Sequence, residues 1–207
     1  MSFNPKDYYF KKAKQQKFVA RSIFKLEEID QKLKILKPGQ VVLDLGASPG
    51  SWSQYASKKV APSGKILGID LKPVTVSLPN AEFLVNDILQ MDWAAELEQR
   101  GLSSKVDVVL SDMAPNTTGI KSIDQAKSFE LCEMALNIAV LNLKNGGHFV
   151  CKLFHSDDFT TLRNNMRDHF QKVEAVKPES TRKISKEIFL IGLRFQAKRP
   201  KNSEYNT

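Results

Sequence analysis

Four short apolar runs in this chain each deliver an aspartate at or near their carboxyl end. Val41-Val42-Leu43 leads to Asp44, Ile66-Leu67-Gly68-Ile69 to Asp70, Phe83-Leu84-Val85-Asn86 to Asp87, and Val108-Val109-Leu110-Ser111 to Asp112. Strands this apolar must be covered on both faces, and their alternation with helical stretches is the pattern of a mostly parallel sheet between two helical layers. Such sheets hold ligands outside the carboxyl ends of their strands. The four acids therefore predict a row of carboxylates along a ligand-binding edge.

The periodicity predicts strands at 41–45, 65–70, 82–85, 106–111, 148–153, 173–176 and 188–193, and helices near 51–59, 92–100, 124–143 and 157–169. On the third of these helices Phe129, Met134, Leu136, Ile138, Val140 and Leu141 are numerous enough to face a sheet. Leu26, Ile29, Leu33 and Leu36 recur at helical spacing ahead of the first strand. Pro38-Gly39, Pro62-Ser63-Gly64, Leu78-Pro79-Asn80 and Asn145-Gly146-Gly147 mark loops. Only residues 177–185 separate the last two strands, too few for a helical crossover, so that pair is expected to be an antiparallel hairpin. The chain of 207 residues suits one domain, expected over 20–196, with a basic and aromatic arm at 1–19 and a polar tail at 197–207.

The net charge of +8 is concentrated at the two ends. Residues 1–26 carry seven bases against Asp7, and nine bases face four acids from Lys172 onward, which leaves the middle slightly acidic. Basic ends around an acidic body suit a polyanion gripped at the ends while the body holds something else. Asp7-Tyr8-Tyr9-Phe10-Lys11-Lys12 interleaves aromatics and bases, a mixture that contacts phosphates and stacks on unpaired bases; the same aromatics could instead pack on the body. A second basic loop runs from Lys177 to Lys183. No run of about 18 apolar residues predicts a membrane span. The first residues lack the apolar core of a secretory signal, and Cys132 and Cys151 have neither CxxC spacing nor clustered histidines. Two buried free thiols, no metal site, no membrane partner and a cytoplasmic location are expected.

The first strand runs into Gly46-Ala47-Ser48-Pro49-Gly50 and then a helix. Gly46 and Gly50 would let the backbone approach a ligand that a Cβ would keep away. A dinucleotide loop needs a third glycine-like position and amide donors for a pyrophosphate, and Ser48 and Pro49 stand where these would be. A ligand without phosphates, such as a nucleoside carrying an amino acid, fits better. Asp70 is placed to accept from ribose hydroxyls and Asp87 from an adenine amine, and a row of acids would favour a positive sulfonium over a pyrophosphate. Lys152 lies inside the apolar strand Phe149-Val150-Cys151-Lys152-Leu153-Phe154, where an ammonium is costly unless paired or deprotonated; snorkelling to water is the bland alternative.

With these residues in place the sequence resembles the FtsJ-type ribose 2′-O-methyltransferases, and within them the short bacterial branch acting on large-subunit ribosomal RNA. The matching runs are Ala20-Arg21-Ser22-Ile23-Phe24-Lys25-Leu26, Asp44 to Gln54, Ser111-Asp112-Met113-Ala114-Pro115-Asn116, Cys151-Lys152-Leu153-Phe154 and Ser185-Lys186-Glu187, spread over nearly the whole chain. The resemblance implies a Rossmann-like class I fold whose mostly parallel seven-stranded sheet ends in an antiparallel hairpin. It implies a catalytic tetrad of Lys25, Asp112, Lys152 and Glu187. It implies S-adenosylmethionine as methyl donor, contacted by Gly46, Gly50, Trp52, Asp70, Asp87 and Asp112. Ser48, Ser51 and Phe189 depart mildly from the family pattern.

In that chemistry a ribose hydroxyl becomes a nucleophile once its proton is drawn away. Lys152 is the expected base, or the group that orients the hydroxyl and stabilises the forming alkoxide. Asp112 is expected to hold Lys152, and Glu187 to orient Lys25 or a ribose hydroxyl. The implied substrate is a uridine of large-subunit (23S) ribosomal RNA during ribosome maturation, with the enzyme a monomer and DNA not a partner. Transfer RNA as substrate and a non-catalytic RNA-binding assembly factor stand as alternatives. A nicotinamide oxidoreductase is disfavoured by Ser48 and Pro49, and an amino-group methyltransferase by Met113-Ala114-Pro115-Asn116 after the acid.

Overall fold

Along the chain of the computed structural model, α1 (Pro5–Gln15) and α2 (Ile23–Leu33) precede β1 (Val41–Leu45), α3 (Ser51–Val60), β2 (Lys65–Asp70) and β3 (Ala81–Val85). The remaining elements are α4 (Trp93–Gln99), β4 (Val106–Ser111), α5 (Lys121–Asn142), β5 (Leu143–Phe154), α6 (Phe159–Arg167), β6 (Phe170–Val176) and β7 (Glu187–Phe195). The structure describes residues 5–182 and 185–197, with side chains from residue 8 onward. Lys183 of the second basic loop and the polar tail from Lys198 lie outside the described residues.

The seven strands form one sheet in the order β3-β2-β1-β4-β5-β7-β6. The first five are parallel, and β7 runs antiparallel to both β5 and β6. The hairpin expected from the short 177–185 connection is present, with Val176 opposite Phe189 and Phe170 opposite Phe195. Its second strand inserts between β5 and β6, so Glu187 arrives opposite Phe154 and Phe189 opposite Lys152.

Alternating strand residues feed two separate cores. Leu43, Leu45, Val109, Phe149, Cys151 and Leu153 pack with α4, α5 and α6. Val42, Val108, Leu110, Val150, Phe189 and Ile191 pack with α2 and α3. Period-two alternation sends Lys152 to the second face, the side of Lys25.

Four expectations need correction. Asn145-Gly146-Gly147 do not lie outside the sheet; they form an irregularity inside β5, where pairing jumps from Val106 opposite Leu143 to Val108 opposite His148. Gly146 turns there at φ +83°, so the predicted loop is absorbed within a strand. Leu141 on α5 is 68% exposed and does not face the sheet. Leu36 belongs to no helix, because α2 ends at Leu33 and Lys34 takes the left-handed conformation. The expected last helix shortens to Phe159–Arg167, with Phe170 opening β6.

Helix α2 is held by polar ties as well as by its buried face. The Asp30 carboxylate is buried, accepts from the Leu36 amide (2.9 Å) and the Tyr55 hydroxyl (2.9 Å), and pairs with Lys59 at 3.6 Å. The Trp52 indole N–H donates to the Ser22 carbonyl at 3.0 Å. Glu28 accepts from the Glu179 and Ser180 amides, which docks the β6–β7 loop on the same helix. The arm is the helix α1, and it divides. Tyr9 and Phe18 pack near Phe24 (5.5 and 6.1 Å between centroids), whereas Tyr8 and Phe10 are exposed. Among the described residues no helix is long and apolar enough to cross a membrane.

The Asp30 network carries a direct stability test. Asp30→Ala leaves the Tyr55 hydroxyl and the Leu36 amide without their acceptor, and is expected to lower unfolding free energy by about 2–3 kcal/mol in urea titration.

Candidate active site

The loop after β1 opens a cleft at the carboxyl ends of the parallel strands. Gly46 sits at φ +76°, and a Cβ there would fall 2.6 Å from the Met113 side chain. Gly50 caps α3 at φ +111°, where a Cβ would strike Val76 at 2.4 Å. The two glycines therefore let the loop close on the segments after β4 and β2 with no side chain of its own in the way. The cleft has a volume of about 680 Å³, within the usual range for small-ligand sites. Gly46, Asp70, Asp87 and Asp112 line it, as do the apolar groups Met113, Leu131 and Met134. Gly50 and Trp52 are not among the lining residues; Trp52 is buried against Phe189 at 5.8 Å.

Each acid on the edge has a distinct setting. Asp70 accepts from the Ser48 amide (3.0 Å) and the Lys72 amide (2.9 Å), tying the loop to the end of β2. Asp87 accepts from the Leu89 amide at 3.0 Å and starts a single 3-10 turn. Asp44 is 1% exposed; one of its oxygens takes the Ser53 hydroxyl at 2.6 Å, and the other has no hydrogen-bond partner. Burial pushes this carboxyl up to about 7 against the pull of Ser53, and the charges of Asp112 and Asp70 add to the rise. An orphaned acid beneath a row of acids is a place that favours a cation.

Lys152, only 7% exposed, does not snorkel to water. Its ammonium lies 3.0 Å from Asp112 Oδ1 and donates to the Asp112 carbonyl at 2.6 Å. Asp112 Oδ1 is itself buried without a well-directed hydrogen bond, so the pair is held by charge and by the carbonyl contact. Lys25, also 7% exposed, donates to Glu187 at 2.5 Å and stands 5.7 Å above the Phe189 ring. Burial alone would raise the Glu187 carboxyl; the Lys25 ammonium, helped by Lys152 and Arg21, overcomes it and holds the group below its ordinary value. The four tetrad residues thus form two ion pairs, and register places Lys152 and Glu187 on one sheet face.

Sequence reasoning did not bring several groups to the site. Arg21 and Arg182 join Lys25 and Glu187 around a second cavity of about 400 Å³. The Arg21 guanidinium is lowered by burial and by its neighbour Arg182. Asp124 accepts from the Thr118 amide and hydroxyl (2.7 and 2.9 Å) and fixes the loop that enters α5. The interval from Thr118 to Asp124 has no distinctive residue pattern, so only the folded loop exposes it. Among the described residues no cluster of His, Cys, Asp and Glu could hold a metal ion. Cys132 and Cys151 are free and buried.

Comparison with known proteins adds the following. A family profile described as FtsJ-like methyltransferase matches residues 18–195. The protein is 63% identical over 193 residues to "Ribosomal RNA large subunit methyltransferase E" of Bdellovibrio bacteriovorus, a match covering 93% of this chain and 98% of that protein. A solved ribosomal RNA methyltransferase of Plasmodium falciparum superposes with a TM-score of 0.75 at 29% identity, covering 86% of this chain and 98% of that one. Fibrillarin of Aeropyrum pernix, solved with S-adenosyl-L-methionine bound, shares the fold with a TM-score of 0.54 at 15% identity over 77% of this chain and 68% of that one.

Asp44 supplies a pH test. An unfolded aspartate ionises near 4, whereas the folded carboxyl keeps its proton to about 7. The folded state binds more protons between these values, so Asp44 lowers stability progressively as pH rises from about 4 to about 7. In thermal melts across that window the wild-type midpoint is expected to fall relative to Asp44→Asn, then to run parallel to it at higher pH. A constant difference between the two from pH 4 to 8 would show that the acid ionises normally.

Proposed function

The chain belongs to the FtsJ-like methyltransferase family, and from that premise we propose that it transfers a methyl group from S-adenosylmethionine to a ribose 2′-oxygen of large-subunit ribosomal RNA. The observation that carries the reading is the buried Lys152–Asp112 pair at the mouth of the acid-rimmed cleft, with the Lys25–Glu187 pair on the same sheet face. A relative named for ribosomal RNA of the large subunit, matched over nearly its whole length, supports the substrate class.

The cleft fits the methyl donor. Its acids and the unpartnered Asp44 oxygen suit a positive sulfonium, whereas the Gly46, Ala47 and Ser48 amides that could cradle a pyrophosphate are taken by the Ile69 carbonyl and the Asp70 carboxylate, and Pro49 has none. Asp70 is assigned to the ribose hydroxyls, Asp87 to the adenine end, and Gly46 to close backbone approach. Gly50 and Trp52 are assigned an indirect part: Gly50 shapes the loop, and Trp52 fixes α2 through Ser22 and supports Phe189. When bound, S-adenosylmethionine supplies an electrophilic methyl group.

The chain's own residues prepare the acceptor oxygen. Asp112 fixes the Lys152 ammonium by its carboxylate and its carbonyl, which aims the remaining N–H toward the open side of the site. Lys152 orients the ribose 2′-hydroxyl and, once its third N–H proton has passed to solvent, the freed amine accepts the hydroxyl proton, so that an ammonium is restored beside the reacting oxygen. Glu187, ionised and bound to Lys25, keeps the second ammonium beside the same oxygen. A ribose reaches these groups only when its nucleotide is unpaired or flipped, so a loop of the RNA is the natural target.

All four tetrad residues come from one chain, and a monomer suffices. We place the enzyme in the cytoplasm, where the ribosomal RNA of its bacterial relatives is assembled into subunits. Transfer RNA as substrate and a non-catalytic assembly role are not favoured: the relative is named for the ribosomal reaction, and every tetrad side chain is present and paired.

Lys152→Ala is expected to reduce methyl transfer to unmethylated large-subunit RNA by about 10²–10⁴-fold, while calorimetry shows S-adenosylmethionine binding unchanged. Undiminished transfer by this variant overturns the assignment. Lys152→Arg keeps the charge but cannot give up a proton, so substantial residual activity in that variant would assign Lys152 the electrostatic role alone.

A further inference from the structure

Glu187 is a wall shared by three further cavities, of which the two larger matter here. One is the Arg21–Arg182 cavity already described, and the other is a cleft of about 730 Å³ between the start of α5 and the ends of β5 and β7. This second cleft is lined by Lys121, Lys177, Lys186 and His155 and, equally, by the carboxylates of Asp157, Asp158 and Glu187. Asp158 is in contact with the Ser156 hydroxyl at 3.3 Å.

Lys121 and Lys186 line this cleft together, and a smaller one of about 220 Å³ as well. The Lys186 amine is lowered chiefly by the charge of Lys121, and further by direct contact with it. Both belong to exposed residues with open solvent available, and long flexible side chains of like charge ordinarily part. Their backbones, in contrast, are firmly held. The Lys186 carbonyl accepts from the His155 amide at 2.8 Å, and the His155 carbonyl accepts from Gln125 of α5 at 2.6 Å. Gln125 lies one turn beyond Lys121, whose preceding loop Asp124 fixes. Two cations carried on a braced frame beside a cavity form a receptor for an anion.

We propose that the Lys121–Lys186 cleft binds a backbone phosphate of the RNA strand adjacent to the methylated ribose. The strand enters across Glu187, with the Arg21–Arg182 cavity on one side of the target nucleotide and the lysine pair on the other. The lysines act as positioning residues: they set the register of the strand and make no contact with the reacting atoms. None of the matched motifs contains Lys121, and the cleft lies outside the one that receives the methyl donor. This inference rests on the RNA substrate reading above.

The test uses the full chain and unmethylated large-subunit ribosomal RNA, comparing wild type with Lys121→Gln, Lys186→Gln and the double variant. The double variant is expected to raise KM for RNA about 10-fold and to flatten the log–log salt dependence by between about one and two charges. Its kcat and its affinity for S-adenosylmethionine stay within about threefold of wild type, and Lys121→Arg with Lys186→Arg restores the KM. An unchanged KM and salt slope in an active double variant overturns the phosphate site while leaving the substrate reading intact. A fall in kcat alone, or loss of donor binding, also overturns it, because the pair would then belong to the chemistry or the fold. A wild-type enzyme that transfers no methyl to RNA sinks the substrate reading itself, and the proposal with it.

Discussion

A charge buried at the end of a β-strand is the constraint on which the rest of this structure depends. An unpaired ammonium in the position of Lys152 would carry a desolvation penalty of several kcal/mol. The fold answers it with a carboxylate at 3.0 Å and a carbonyl at 2.6 Å, both from Asp112. That answer requires β4 and β5 to be parallel neighbours in register, since only then does the residue after Ser111 reach the one after Cys151. The central pairing of the sheet and the core of the site are therefore one requirement.

The second ion pair is assembled from opposite ends of the chain. Lys25 comes from α2 and Glu187 from the first residue of β7, and they meet because β7 inserts beside β5 in the antiparallel sense. A parallel strand in the same place would present its opposite end to this edge of the sheet. The terminal hairpin thus has a chemical consequence as well as a topological one. Helix α2 must also be held firmly: Asp30 and Ser22 tie it to Tyr55 and Trp52 of α3, and Glu28 ties it to the β6–β7 loop. These polar contacts do not touch the site, yet they define where Lys25 stands.

Electrostatics divides the carboxyl edge of the sheet in two. On one side Asp70, Asp87 and Asp112 create a negative cleft for a cationic cofactor, with Asp44 buried beneath them. On the other, Arg21 and Arg182 face one cavity and Lys121 and Lys186 another, cations that suit a polyanion. The tetrad lies at the boundary, where Lys152 is bound to an acid of the first group and Glu187 is surrounded by cations of the second. A methyl donor and an RNA strand can be held at once without their binding groups competing.

Much of this was legible in the amino-acid sequence because it rests on local patterns. Continuous apolar runs located β1, β2 and β4 with the bounds observed, and the acids that end them marked the ligand edge. The short 177–185 connection dictated an antiparallel return, since nine residues cannot cross a sheet as a helix. Lys152 stood out because an ammonium in an apolar run demands a partner. Other features depended on which distant surfaces come together, and no spacing encodes that. Trp52 turned toward Ser22 and Phe189, away from the cleft wall; Tyr9 and Phe18 packed near Phe24 while Tyr8 and Phe10 stayed exposed; and Lys121 came to line a cleft with Lys186. Local sequence determines an element and the residues it offers, whereas their partners follow from long-range packing of two sheet faces. That is why the acids and lysines were visible in the chain, and why the cavities between them appeared only in the folded protein.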